Sequence, residues 1–257
     1  MKDLNYQKQS LITRTIIKAA VLMSEFGAES ILIEQTAQRL GKALGIDSVE
    51  ISLIPSAIVL TTLYDNQCVT TTRRVHHKPI NMSIVCDIQK IVIHMEKQRF
   101  DVTYLVKALK DIQPNYYNRW LVIFMVGIAC ASFSYLQGSD WPAFFITFLA
   151  SGTAMFVRQE LSKRRFVMII TFGITALVAT LIASISQINN ISSTPNIALA
   201  SSVLLLAPGF AFINSFLDSL KGYLSMGWGR WLEGILLTIA TSIGIILALA
   251  ILDIKGW

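Results

Sequence analysis

Two hydrophobic patterns divide this chain near residue 118. Before it, apolar residues recur at helical spacing or crowd into short β-branched runs; after it, they form long stretches. In the first part Ile12, Ile16, Ala19 and Met23 are spaced by three and four, which predicts an amphipathic helix over 7–24. Phe26-Gly27 breaks it. Ile33, Ala37, Leu40 and Leu44 share one face of a second helix, and Gly45 ends it. The run SVEISLIPSAIVLTTLYDNQCVTTTRRV predicts two or three strands with a hairpin turn at Asp65-Asn66, and NMSIVC is compatible with a further strand. Ile88, Ile91, Val92 and Met95 then mark a helix, and Val102, Leu105, Val106 and Leu109 another. Helices, then strands, then helices argue an α+β domain over residues 1–118.

From residue 119 onward five apolar segments follow one another, at 120–137, 141–157, 166–188, 197–217 and 231–252. A membrane-spanning helix needs about 20 residues, within a range of roughly 17–25. The last three segments meet that length. The first two are short and separated by GSD, so they read as a tight helical hairpin, with a re-entrant element as the other reading. The expected architecture is thus an α+β cytoplasmic domain (1–118) followed by an α-helical membrane domain of about five transmembrane helices (119–257).

Charge orients this arrangement. Residues 1–118 carry 14 Lys+Arg and 11 Asp+Glu, whereas residues 119–257 carry 8 and 5. Over the whole chain 53% of residues are hydrophobic, 15% are charged, and mean hydropathy is +0.56. Soluble domains carry about 25% charged residues, so an ordinary soluble protein is excluded. Arg119, Arg158, Lys163, Arg164, Arg165, Lys221 and Arg230 fall in alternate connections, while GSD and QINNISSTPN carry no Lys or Arg. Only Lys255 falls on the other side. The positive-inside rule then places the N-terminal domain in the cytoplasm and the C-terminal tail outside. Trp120, Trp141, Trp231 and Trp257 sit at segment ends, as interfacial aromatics do. The net charge of +6 is not read as a nucleic-acid footprint, because the basic residues form no stripe with interleaved aromatics.

Candidate chemistry concentrates in the fourth segment, IALASSVLLLAPGFAFINSFLDSLKG. Pro208 removes an intrahelical hydrogen bond and Gly209 loosens the backbone. In lipid a freed backbone group needs protein or a wet cavity to satisfy it, and broken helices in transporters aim such groups at anionic substrates. Pro208, Gly209 and Asn214, with Ser201 and Ser202, are therefore the candidate substrate-binding residues; a packing kink is the plain alternative. Asp218 lies four residues after Asn214 on the same face. Asp218 and Glu233 are candidates for coupling or gating, although Glu233 reads first as an interfacial residue able to reach water. Arg158 and Arg230 read first as topological anchors, and second as partners for a carboxylate. Small-residue faces, Gly127 with Ala131 and the ladder Ala240, Gly244, Ala248, suit close helix packing within the bundle or against a partner subunit.

The soluble part offers less. Cys68, Cys86 and Cys130 are too widely spaced for a metal site, and His76-His77 are adjacent, so their side chains diverge on a strand. No P-loop, nucleophile elbow or paired zinc-ligand motif occurs, so no metal, no cofactor and no enzyme activity is expected. Glu25 and Glu29 flank the first helix break. Glu29 suits the positive end of the second helix, and a ligand-binding role is its alternative.

FGAESILIEQTAQRLGKALGIDSVE, SAIVLTT and LLLAPGFAFINSFLDSLKGYLSMGWGRW, in that order, resemble the threonine/serine exporter (ThrE) family, and within it the larger subunit of the split, YjjP-like branch. The resemblance covers essentially the whole chain. It implies a secondary-active exporter subunit of the bacterial inner membrane. It also implies a separate small, YjjB-like membrane subunit, because fused family members carry a second membrane domain. The implied cargo is a small polar metabolite, either succinate or a related dicarboxylate, or threonine and serine. Five spans with no internal repeat independently read as an incomplete transporter, to be completed by a partner or by oligomerisation. The alternatives are a membrane-anchored metabolite sensor, and a hydrolase-like enzyme using the N-terminal domain.

Overall fold

The computed structural model describes residues 2–76, 78–98, 100–188 and 191–254; His77, Lys255 and Trp257 lie outside the described residues. The chain forms two compact units. One comprises Met1–Tyr116 with Phe212–Trp231, and the other Tyr117–Ala211 with Leu232–Trp257. The segment around Asn214 and Asp218 thus belongs to the unit built mainly from the first 116 residues.

That first unit opens with α1 (Lys2–Glu25) and α2 (Ser30–Ala43). Ile12, Ile16, Ala19 and Met23 on α1 are buried, as are Ile33, Ala37 and Leu40 on α2. The turn between them uses Gly27 at φ 95°, a left-handed conformation that favours glycine. Strands β1 (Ser48–Ile54), β2 (Ala57–Tyr64) and β3 (Gln67–Arg74) form an antiparallel meander with β2 in the centre. Asp65 and Asn66 form its second hairpin turn, both at positive φ, which matches the twist of the flanking strands. Ile58, Leu60 and Thr62 alternate along β2 and face the helices, where Thr13 on α1 bonds Thr62 through their hydroxyls at 2.7 Å. Helices α3 (Met82–Lys97) and α4 (Val102–Asp111) complete the core through Ile88, Val92 and Leu105.

NMSIVC is not a strand; it opens α3. The Asn81 side chain accepts from the Ser83 backbone N–H and caps the helix. Ile84, Val85 and Ile88 are then buried together at helical spacing. A β-branched run suits either state, and the cap decides it here.

The second unit contains α5 (Arg119–Leu136), α6 (Trp141–Lys163), α7 (Met168–Ala183), the short α8 (Ile185–Ile188), α9 (Pro195–Ser202) and a 3-10 turn at Leu204–Leu206. It also holds the start of α10 (Gly209–Leu220) and the later part of α11 (Leu224–Ile251). Helix α6 packs on α5, α7 and α9. Small residues make the contacts: Ala131, Ala150, Ala154 and Ala176 are fully buried. A Cβ placed on Gly127 would sit 3.1 Å from the Phe148 carbonyl, and one on Gly244 would sit 2.9 Å from the Ala176 side chain. The ladder on α11 therefore meets α7 within this unit, by the close backbone approach that small residues permit.

Among the described residues three helices are long and apolar enough to cross a membrane: Arg119–Leu136, Met168–Gln187 and Leu224–Ile251. The interrupted pair Pro195–Leu206 and Gly209–Leu220 makes a fourth if it is one span. Length and composition thus support three or four spans where five were expected. Helix α6, over the second expected segment, is the one not among them.

Candidate functional site

The interruption of the fourth apolar segment starts with the 3-10 turn, in which the Leu206 and Ala207 N–H groups donate to Val203 and Leu204. Ala207 then turns extended, at ψ 120°, and Pro208 has no N–H to continue the ladder. An unbroken α-helix would give the Leu205 carbonyl the N–H of Gly209. Here it accepts from Arg158 Nη1 at 3.3 Å. The Arg158 guanidinium also lies 4.7 Å from the centre of the Phe172 ring, a cation–π contact. Beside this pair opens a cleft of about 350 Å³, lined by Cys130, Phe133, Met155, Arg158, Leu204 and Leu205 among others. Among the described residues no Asp or Glu forms an ion pair with Arg158. Sequence reading ranked Arg158 as a topological anchor; only the fold shows that it faces a cleft at the proline break.

Ser201 and Ser202 are buried on α9 in the same unit. Ser202 Oγ donates to the Leu199 carbonyl at 2.8 Å. Ser201 Oγ has no hydrogen-bond partner among the described residues. Ser151 on α6 donates to the Thr147 carbonyl at 2.7 Å and lies 3.5 Å from the Ser202 carbonyl. Gly209 opens α10 with open space where a Cβ would be. Glu233 is half-buried on α11.

Asn214 and Asp218 lie in the other unit. Both are buried in the first unit against the α1–α2 turn. Asp218 Oδ1 accepts from the Ser30 N–H at 3.1 Å, at the start of α2. Its Oδ2 pairs with Arg230 Nη1 at 2.9 Å, and Arg230 Nη2 donates to the Ala28 carbonyl at 2.6 Å. Asn214 Nδ2 lies 3.5 Å from the Gly27 carbonyl. Glu29, the N-cap residue of α2, makes no side-chain cap bond and instead pairs with Lys221 Nζ at 2.6 Å. Tyr223 donates to Glu34. Burial and the Glu34 carboxylate push the Tyr223 phenol well above its ordinary pKa. Residues 214–230 thus grip the α1–α2 turn through the buried Asp218, its partner Arg230 and two turn carbonyls. This clamp joins residues almost 200 positions apart, and no local pattern announces it.

A third polar cluster lies at the start of α6. Asp140 accepts from the Ala143 N–H at 3.0 Å, from Ser192 Oγ at 2.7 Å and from the Ser193 N–H at 2.7 Å. Burial opposes its ionisation, but these bonds outweigh that and hold the carboxyl below the usual range. The carboxylate caps a helix and ties down the 192–194 loop.

Several long apolar helices, one element interrupted at a proline, and a cation facing a cleft at that interruption are the features of a multi-pass membrane protein of the transporter type. Residues 14–252 match the family described as putative threonine/serine exporter, and the chain belongs to that family. It is 45% identical to a probable succinate transporter subunit YjjP of Escherichia coli, over 98% of each chain. It is 43% identical to the protein of the same name from Klebsiella aerogenes, over 97% of each. A probable threonine/serine exporter of Mycobacterium tuberculosis is 22% identical over 96% of this chain, but only 47% of that longer protein is covered. No solved structure matches.

Proposed function

We propose that this chain is one subunit of a secondary-active exporter that carries succinate or a related dicarboxylate out across the bacterial inner membrane, with a separate small YjjB-like membrane subunit. The observation that carries this reading is similarity along the whole chain to proteins named as succinate transporter subunits. The word subunit points to a partner. Threonine or serine is the second cargo, favoured by the family description.

Substrate passes the Pro208-Gly209 break and the buried hydroxyls of Ser201 and Ser202. Asn214 and Asp218, engaged with the α1–α2 turn, belong to gating, and Glu233 is left for proton coupling. Lys221, after α10, and Arg230, in the first turns of α11, share one unit with the N-terminal helices and pair within it. That supports a common side for both, and the positive-inside rule makes it the cytoplasm.

The test is efflux of preloaded succinate and threonine from cells lacking this protein, with the chain restored alone or beside the small subunit. Succinate efflux that needs both chains is expected. Efflux of threonine or serine alone would reassign the cargo, and no efflux with both subunits well expressed would overturn the reading and favour a sensor.

A further inference from the structure

We infer, on the exporter reading above, that the cleft at Arg158 is the carboxylate-recognition subsite, and that it selects an anion without an ammonium group over an amino acid. Three observations converge on it. First, Arg158 closes the apolar part of α6, and a cation there is costly unless an anion or water compensates it. No carboxylate of the described chain pairs with it. Its neighbours are the Leu205 carbonyl and the Phe172 ring, which orient the guanidinium without neutralising it. Second, the guanidinium is not sealed in the core: it lines an open cleft of about 350 Å³, large enough for a four-carbon acid. Guanidinium is the side chain best matched to a carboxylate, because its planar fork meets both oxygens.

Third, the lining is one-sided. Apart from Arg158 it offers Cys130 and apolar side chains, and no acid. An amino acid brings an ammonium group that needs a carboxylate or several carbonyls. The Leu205 carbonyl, freed by the Pro208 break, already accepts from Arg158. A carboxylate with an apolar remainder fits this lining, whereas a zwitterion loses the water around its ammonium and gains little.

Membrane vesicles bearing this chain and the small subunit, transporting labelled succinate, test the assignment. Arg158→Gln is expected to raise KM by about tenfold or more, the scale of a lost charge-assisted contact, with maximal rate held within about twofold. Arg158→Lys should fall between. Unlabelled threonine and the diamide of succinate should compete at least about tenfold worse than succinate. An unchanged KM in Arg158→Gln, or threonine competing as well as succinate, would overturn it.

A second readout needs no transport. Cys130 is buried, so the reporter is a cysteine at the exposed cleft residue Ala129: in a Cys68→Ser, Cys86→Ser, Cys130→Ser background, alkylation of an Ala129→Cys variant by N-ethylmaleimide reports on the cleft itself. Succinate should slow it saturably in that background and not in Arg158→Gln. Protection without efflux would keep the subsite and sink the exporter reading. Efflux without protection, and with unchanged KM, would keep the exporter and sink the subsite.

Discussion

Asp218 shows how far a residue's role depends on partners distant in sequence. It is fully buried, it satisfies the first N–H of α2, and its charge is met by Arg230. Removing one member of a buried ion pair leaves an uncompensated charge, at about 3–5 kcal/mol. Asp218→Ala and Arg230→Met should each lower the unfolding free energy of the purified protein by about that much. The double variant should recover part of the loss, and purely additive effects in that cycle would show that the pair is not coupled. Asp140 makes a pH prediction. Its folded pKa is depressed, so its contribution is fully present above the unfolded aspartate value of about 3.9 and lost as pH falls through the lower folded value. Hydrogen exchange in the 192–194 loop should therefore stay slow at neutral pH in the wild type and rise strongly there in Asp140→Ala.

At the scale of elements, the amphipathic helices α1, α2 and α4 and the Asp65-Asn66 hairpin follow from spacing and turn chemistry. The buried positions Ile16, Leu40 and Leu105 are the ones their periodicity marked. The start of α3 was not legible, because Ile84 and Val85 favour a strand locally and only the Asn81 cap and the core behind them select the helix. The small-residue ladder on α11 was visible, but its partner was not. Gly173 and Ala176 on α7 receive it. Gly244→Leu should force these helices apart, and the variant should accumulate to a lower level in membranes and melt at lower temperature. A variant as abundant and as stable as wild type would refute this packing.

At the scale of the molecule, the segment 212–231 is the unexpected feature. Hydropathy assigns it to the membrane half, yet it shares a compact unit with residues 1–116 and sends Met226 into their core. Cys68 and Cys86 are exposed on that unit. With the N-terminal domain in the cytoplasm, a membrane-impermeant maleimide should label both in inside-out vesicles and neither in intact spheroplasts. The opposite pattern would invert the topology and, with it, the side from which Arg158 meets its anion.

The sequence by itself determined the class of the molecule. Long apolar stretches need a membrane, alternate loops rich in Lys and Arg predict an orientation, and an interior proline such as Pro208 interrupts the hydrogen-bond ladder, all of which are local or compositional effects. The same local reading placed Asn214 beside Pro208 as a ligand group and Arg158 at a membrane edge as an anchor. Only the tertiary structure adds their partners: it closes the 188-residue separation between Ser30 and Asp218 and brings Arg158 onto the carbonyl that the proline frees. Such pairings depend on which buried polar groups find one another once the helices pack, and nothing in the neighbouring residues encodes that.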